Sequence, residues 1–255
     1  MRRELLNPMI VIAVLLVLCS GAAALDTQGL KTEAAQAVAG LSTTIDEIST
    51  TLWDYSETAL REERSAEYLT AILKDAGFEV KTGLADMPTA FVALYGSGKP
   101  VIGILAEFDA LPGVGNEVAP ERKARADGVA AGQGCGHNLF AAASVGGAIA
   151  LKEVIKSRGL NGTVKLFGTP AEETVVGKVY MAKAGVFDGL DAVVDWHPAT
   201  KTAVRNQAGR ALNNFEVEFF GQAAHGSSDP WNGRSSLDAV EVMNFAVNLM
   251  REHIK

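Results

Sequence analysis

The sequence predicts an α/β fold on a sheet that is at least partly parallel. Short apolar runs alternate with stretches of helical periodicity along most of the chain. Three of those runs, residues 101–106, 163–168 and 192–194, are followed closely by groups that carry chemistry: Glu107 with Asp109, Glu172 with Glu173, and His197. In open α/β sheets ligands gather at the carboxyl ends of strands, so this recurrence also predicts where the site lies.

The first residues read as a targeting segment. Arg2 and Arg3 precede an apolar run over residues 9–18, and the small residues 20–24 offer Ala22-Ala23-Ala24 as a cleavage site. This predicts a signal peptide over residues 1–24 and an exported protein, periplasmic or secreted; the run is short for a bilayer span. Cys19 suggests a lipoprotein, but Leu18 is bulky where a small residue should precede a lipidated cysteine. An uncleaved anchor is the other alternative. Cleavage after Ala24 leaves Cys135 as the one cysteine, which must then be buried, reactive or metal-bound.

The elements follow in order. Residues 26–39 form a polar, alanine-rich lead, and residues 42–52 and 61–74 predict helices. In the second helix Ala66, Leu69, Ile72 and Leu73 recur at helical spacing, and Gly77 supplies the stop. Phe78-Glu79-Val80 starts a strand; residues 90–95 and 101–106 are two more, separated by the turn Gly96-Ser97-Gly98-Lys99-Pro100. A loop over residues 109–132 precedes a long apolar helix over residues 139–156, whose small residues permit close packing on a sheet. Asn161-Gly162 turns the chain into the strand 163–168; Asn161-Gly162-Thr163 also fits a glycosylation sequon, and the turn explains it better. Residues 178–184 are helical, and residues 192–194 form a strand leading into Trp196-His197-Pro198.

From about Gly209 the character changes. Residues 214–220 read as an amphipathic strand with Phe215, Val217 and Phe219 on one face, followed by a loop holding His225 and a helix over residues 236–252. One strand and one helix cannot bury these faces alone, so the expectation is that Lys255 is not the natural end of the fold. The divisions are thus residues 1–24, 25–208 and 209–255.

With 48% apolar residues the chain can bury a sizeable core, and its net charge of −7 excludes a nucleic-acid surface, since no basic stripe stands ready for phosphates.

The chemistry concentrates in a few groups. Cys135 and His137 stand two residues apart in Gly132-Gln133-Gly134-Cys135-Gly136-His137-Asn138, and thiolate and imidazole suit zinc and, less typically, manganese. The bland alternatives are a buried structural cysteine and a helix-capping histidine. Glu172 and Glu173 diverge if their segment is extended, so one can bind metal while the other holds the proton of an attacking water. Asp109 suits the orientation of a ligand histidine. His197 is fixed by Pro198, and His225 either reaches a substrate or is plainly exposed. Convergence of four such groups on one sheet edge favours a metal site, and the candidates outnumber the ligands one zinc uses.

Taken together, these pieces resemble the aminoacylase-type di-metal amidohydrolases and metallopeptidases, in the branch of the p-aminobenzoyl-glutamate hydrolases and the auxin-conjugate (IAA-amino acid) amidohydrolases. The resemblance rests on Pro88-Thr89-Ala90-Phe91, Glu107-Phe108-Asp109-Ala110-Leu111-Pro112-Gly113, Gly134-Cys135-Gly136-His137-Asn138, Pro170-Ala171-Glu172-Glu173, Trp196-His197-Pro198 and Gly221-Gln222-Ala223-Ala224-His225, in that order. It implies a zinc-peptidase-like catalytic domain with a mixed, largely parallel sheet between helices, plus the start of an inserted α+β lid and dimerisation domain. It implies two divalent metals, zinc or manganese, on Cys135, His137, Glu173 and His197. Glu172 matches the general base and Asp109 the orienting carboxylate. His225 matches a lid histidine that, in relatives, reaches the active site of the other subunit of a homodimer. Asn138, where the auxin-conjugate enzymes commonly have Asp, favours the aminobenzoyl-glutamate side. The family's last histidine ligand, near its C-terminus, is not among these 255 residues.

The leading expectation is a metal-dependent amidohydrolase cleaving the amide bond of an N-acyl amino acid through metal-activated water, with no nucleic-acid partner and no stable membrane association after signal cleavage. The competing readings are a cysteine hydrolase using Cys135 and His137, and a non-catalytic truncated subunit or binding protein. Arg234 is a weak candidate for gripping a substrate carboxylate; an exposed arginine leading a helix is the plainer reading.

Overall fold

The computed structural model describes residues 26–204 and 215–253. The signal-peptide expectation falls on residues 1–24, outside the described residues. The chain divides into two compact units at Lys201/Thr202.

The first unit opens with three helices, α1 (Thr27–Gly40), α2 (Ser42–Tyr55) and α3 (Glu63–Asp75). Helix α1 covers the polar, alanine-rich lead, to which the sequence reading gives no secondary structure. Its alanines favour helix, and Asp26 caps it by accepting from Gly29 N at 2.9 Å. Helix α3 ends as expected at Gly77, which takes a φ of 85°. Strands β1 (Glu79–Thr82), β2 (Phe91–Ser97) and β3 (Val101–Ala106) follow, then helix α4 (His137–Arg158), strand β4 (Gly162–Gly168), the short helices α5 (Glu172–Val175) and α6 (Gly177–Lys183), and strand β5 (Ala192–Val194).

The five strands form one mixed sheet in the order β1-β2-β4-β3-β5. β1 pairs antiparallel with β2 and β2 with β4, while β3 runs parallel to both β4 and β5. The parallel half brings the carboxyl ends of β3, β4 and β5 to one edge. β4 is the central strand and all but Lys165 is buried, which explains its continuous apolar run. Phe91 lies opposite Gly168 across the β2/β4 pair, and a side chain at Gly168 would collide with the Phe91 ring. This close approach is why glycine ends β4.

Both sheet faces are covered. On one face Ile48, Leu52, Leu69, Leu73, Phe91, Phe108 and Val145 form the main core beneath α2, α3 and α4. On the other, Met87, Ala90, Phe167 and Met181 form a smaller core with Val186, Phe187 and Leu190 around them. Burying each large side chain contributes roughly 1.5–3 kcal/mol. Helix α4 is long and apolar enough to cross a membrane by length and composition, but it is largely buried between α1, α2 and the sheet, as a core helix.

In the second unit the helix is α7 (Ser236–Met250), capped by Ser235, whose hydroxyl accepts from Asp238 N. The expected strand over residues 214–220 does not form. Residue 214 lies outside the described residues, and 215–220 adopt no regular structure. A strand needs a paired neighbour, and here the described pairing is a single bridge between Gln222 and Arg234. Arg234 therefore serves that bridge through its backbone.

Candidate metal centre

The centre sits where β3, β4 and β5 end. The chain leaves β3 through Glu107, Phe108 and Asp109, whose alternation buries Phe108 in the core beneath the sheet. Glu107 and Asp109 are themselves 6% and 1% exposed. Charges buried this deeply require partners.

His137 provides them. The sequence places it in the loop before α4, but it is the first residue of that helix, because Gly136 supplies the turn with a φ of 80°. Its imidazole is fully buried. Nδ1 lies 2.9 Å from Asp109 Oδ1, and Nε2 lies 3.0 Å from Glu107 Oε2. Glu172 Oε2 and Glu173 Oε1 stand 3.9 and 4.0 Å from the same Nε2.

The glutamates come from the β4 exit. They do not lie on an extended segment, as the sequence suggests, but open α5. Ala171 turns the chain there with a φ of 58°, a left-handed conformation uncommon for a residue with a side chain. Glu173 N donates to Asp109 Oδ2 at 2.9 Å, so Asp109 joins the β3 and β4 exits.

Cys135 and His197 complete the cluster from two other segments. Cys135 Sγ lies 3.4 Å from His197 Nε2, and His197 Nδ1 lies 2.9 Å from Pro198 O. A side chain on Gly136 would press on the Pro198 ring at 3.2 Å, so the glycine lets the segment after β5 approach the start of α4. Trp196 and His197 both stack edge-on against Phe140, at ring separations of 5.7 and 6.0 Å.

The electrostatics are those of a cation site. Four carboxylates surround one imidazole, and the ammonium of Lys178, from α6, binds Glu107 Oε1. Burial works against a charge on His137, but the bonds from Asp109 and Glu107 outweigh it and push its pKa to about 10. Burial drives the Cys135 thiol up, and the fields of Glu173, Glu172 and Glu107 take it to about 12. Burial, reinforced by Glu107, also raises Glu172. For Glu107, burial pushes upward, yet His137 and Lys178 leave its carboxyl below the ordinary value.

A divalent metal fits this arrangement. Glu173 Oε1 is buried and makes no hydrogen bond, and Glu107 Oε2 and His137 Nε2 are buried with no partner but each other. Such orphaned atoms are costly unless something absent satisfies them. Two overlapping donor sets, Cys135/His137/His197 and Glu107/His137/Glu172, each lie with their donor atoms within 4.8 Å of one another. The sulfur and nitrogen set suits zinc, and the carboxylate-rich set suits zinc or manganese.

The structure thus brings together Asp109, Cys135, His137, Glu172, Glu173 and His197. His225 belongs to the second unit. There its Nδ1 accepts from Ser227 N and Ser228 N, and its own N–H donates to Asp229 Oδ1. Two members of the cluster are not assigned from the sequence. Glu107 has no task there, and Lys178 passes as an ordinary helix residue. Lys178 lies five residues beyond Glu173, close enough for a short helix to fold it back, and that spacing is the available signal.

Comparison with known proteins agrees with this geometry. Residues 103–246 match the model of peptidase family M20/M25/M40. The chain is 40% identical to one of the p-aminobenzoyl-glutamate hydrolase polypeptides of Escherichia coli K12, over 82% of this chain and 43% of that protein. It is 30% identical to N-acetyl-L-cysteine deacetylase of Bacillus subtilis, over 71% of this chain and 44% of the relative. The chain spans about half, or somewhat less, of the curated relatives it matches. Among solved structures it superposes on the Bacillus subtilis YxeP protein, a dinuclear metal binding peptidase from the M20 family, with a TM-score of 0.52 and 25% identity, over 60% of this chain and 42% of that one. The sheet with its flanking helices, the site at its carboxyl edge and the family match lead to one conclusion: this chain belongs to peptidase family M20/M25/M40.

Proposed function

We propose that this chain carries active-site residues of a metal-dependent amidohydrolase that cleaves the amide bond of an N-acyl amino acid, of the aminobenzoyl-glutamate kind. The observation that carries the reading is the set of buried ligand atoms Glu107 Oε2, His137 Nε2 and Glu173 Oε1, which have no hydrogen-bond partner outside the cluster itself. Cys135, His137, Glu173 and His197 would hold two divalent ions, zinc or manganese. When bound, such ions polarise a carbonyl oxygen and acidify water.

The residues divide the remaining work. Asp109 fixes the tautomer and orientation of His137 by taking its Nδ1 side, leaving Nε2 toward the site. Glu172 is a third exposed at its side chain and reaches the same space. Its raised pKa suits a base that takes a proton from water and returns it to the leaving amine. The relatives that act on aminobenzoyl-glutamate and N-acetyl-cysteine support an acyl amino acid as the substrate class. Association through the second unit belongs to the same reading, supported by exposed Val242, Phe245 and Leu249 on α7. So does export through residues 1–24.

One observation favours a second reading. The thiol of Cys135 is within reach of His197, as in cysteine hydrolases. A thiol pushed to about 12 is a poor nucleophile, which weighs against it. Dialysis against a chelator separates the two. The metal reading expects N-acyl-glutamate hydrolysis by the whole protein to vanish and return with zinc or manganese. Activity that survives the chelator but not thiol alkylation would sink it.

A further inference from the structure

The helix-leading residue Glu62 is completely buried, yet it is not among the candidate metal ligands. Its Oε1 accepts from Ala171 N at 2.8 Å, and its Oε2 accepts from Thr89 Oγ1 at 3.1 Å. Both partners are informative. Ala171 is the left-handed residue that aims Glu172 and Glu173. Thr89 belongs to Pro88-Thr89-Ala90-Phe91, a motif left without a task by the site itself.

The left-handed conformation is unfavourable for alanine and persists only where surroundings enforce it. Two carboxylates grip this turn at amides two residues apart. Asp109 takes Glu173 N and Glu62 takes Ala171 N. Thr89 in turn fixes the Glu62 carboxylate. Burying a carboxylate is costly, and a bond to backbone N–H is what recovers that cost.

We infer that Glu62 is a positioning residue: through Ala171 it holds the turn that directs Glu172 and Glu173 into the metal centre. The inference rests on the proposed roles of those glutamates, but part of its test does not.

Glu62→Met removes both acceptors while keeping the volume, and Glu62→Met with Thr89→Val also removes the stranded hydroxyl. Glu62→Gln keeps an acceptor for Ala171. The first readout is hydrogen exchange of the peptide spanning residues 169–176, which needs neither metal nor substrate. The expected result is exchange at least ten times faster there in both Met variants, and near-native exchange in Glu62→Gln. The second readout is zinc affinity, by competition with a chromophoric chelator, and the third is kcat against KM on an N-acyl-glutamate, both in the whole protein. Both Met variants should bind zinc about tenfold more weakly and lose kcat with KM within about twofold, and Glu62→Gln should restore both. Native exchange over residues 169–176 in a folded Met variant would overturn the inference. So would unfolding of both Met variants, which would make Glu62 a framework residue. Faster exchange with zinc affinity and kcat intact would also overturn it. A wild-type protein that neither binds zinc nor hydrolyses the substrate would sink the functional reading instead, leaving the exchange result to decide on Glu62.

Discussion

Asp109 Oδ1 lies 2.9 Å from His137 Nδ1, and that contact leaves Nε2 of the buried imidazole facing Glu107, Glu172 and Glu173. The other oxygen of Asp109 accepts from Glu173 N. One carboxylate thus sets both a candidate ligand and the turn beside it. An amide cannot copy this, because its NH2 group would face either a backbone N–H or the imidazole N–H. Asp109→Asn should therefore lower zinc affinity by about 10- to 100-fold, the usual consequence of removing such a partner. Competition with a chromophoric chelator measures it. Unchanged affinity in a folded variant would show that Asp109 does not orient the site.

The pKa of His137 gives a pH dependence. The metal-free folded chain holds the imidazolium up to about pH 10, against an ordinary value of 6.5. Between those values the folded state keeps a proton that the unfolded state has lost. The stabilisation is complete below 6.5 and disappears as the pH rises through about 10. Metal-free protein should melt at progressively lower temperature from pH 7 to pH 10, and His137→Gln should flatten that part of the slope. Zinc must displace the same proton, so its apparent affinity should climb over the same interval. A metal-free melting temperature that rises across it would contradict the charged imidazole.

The acid pair should separate by substitution. In the whole protein, Glu172→Gln is expected to keep its metal and lose turnover by roughly 100- to 10,000-fold, the usual worth of a positioned base. Glu173→Gln should instead lower the bound metal per chain. Metal analysis beside kinetics reads both. Equal metal loss in the two variants, with turnover per bound metal unchanged, would mean that the two roles are misassigned.

Much of this is legible in the sequence, for physical reasons. Strand β3 is readable to the residue because an apolar run ending in Glu107 and Asp109 has few other interpretations. Helix α4 is readable, but not its first turn: Gly136 supports either a loop or a helix start, and in the structure its φ of 80° makes it the residue that opens the helix. The strand expected over residues 214–220 fails because alternation marks a face, whereas a strand requires a neighbour. Glu62 is invisible because its burial depends on Thr89 and Ala171, 27 and 109 residues away. The convergence of ligands at one edge is predictable from chain order. The hydrogen bonds that aim them are not, since they join segments far apart in sequence.

Lys178 gives the last prediction. Its ammonium binds Glu107 Oε1 from α6, and it is the one lysine among the described residues paired with the centre. With His137 it offsets Glu107, Asp109, Glu172 and Glu173. A bound cation would compete with that ammonium for Glu107. Lys178→Met keeps the length of the side chain and removes the charge. Without metal, Glu107 loses a partner while staying buried, and the protein should be destabilised by about 1–3 kcal/mol. With metal, the more negative centre should bind zinc several-fold more tightly. The two effects have opposite signs, so the melting temperature gained on adding zinc should be larger in the variant than in the wild type. Thermal melts with and without zinc measure it directly. If the variant melts like the wild type without metal, or binds zinc more weakly, Lys178 does not stand in for a cation at Glu107.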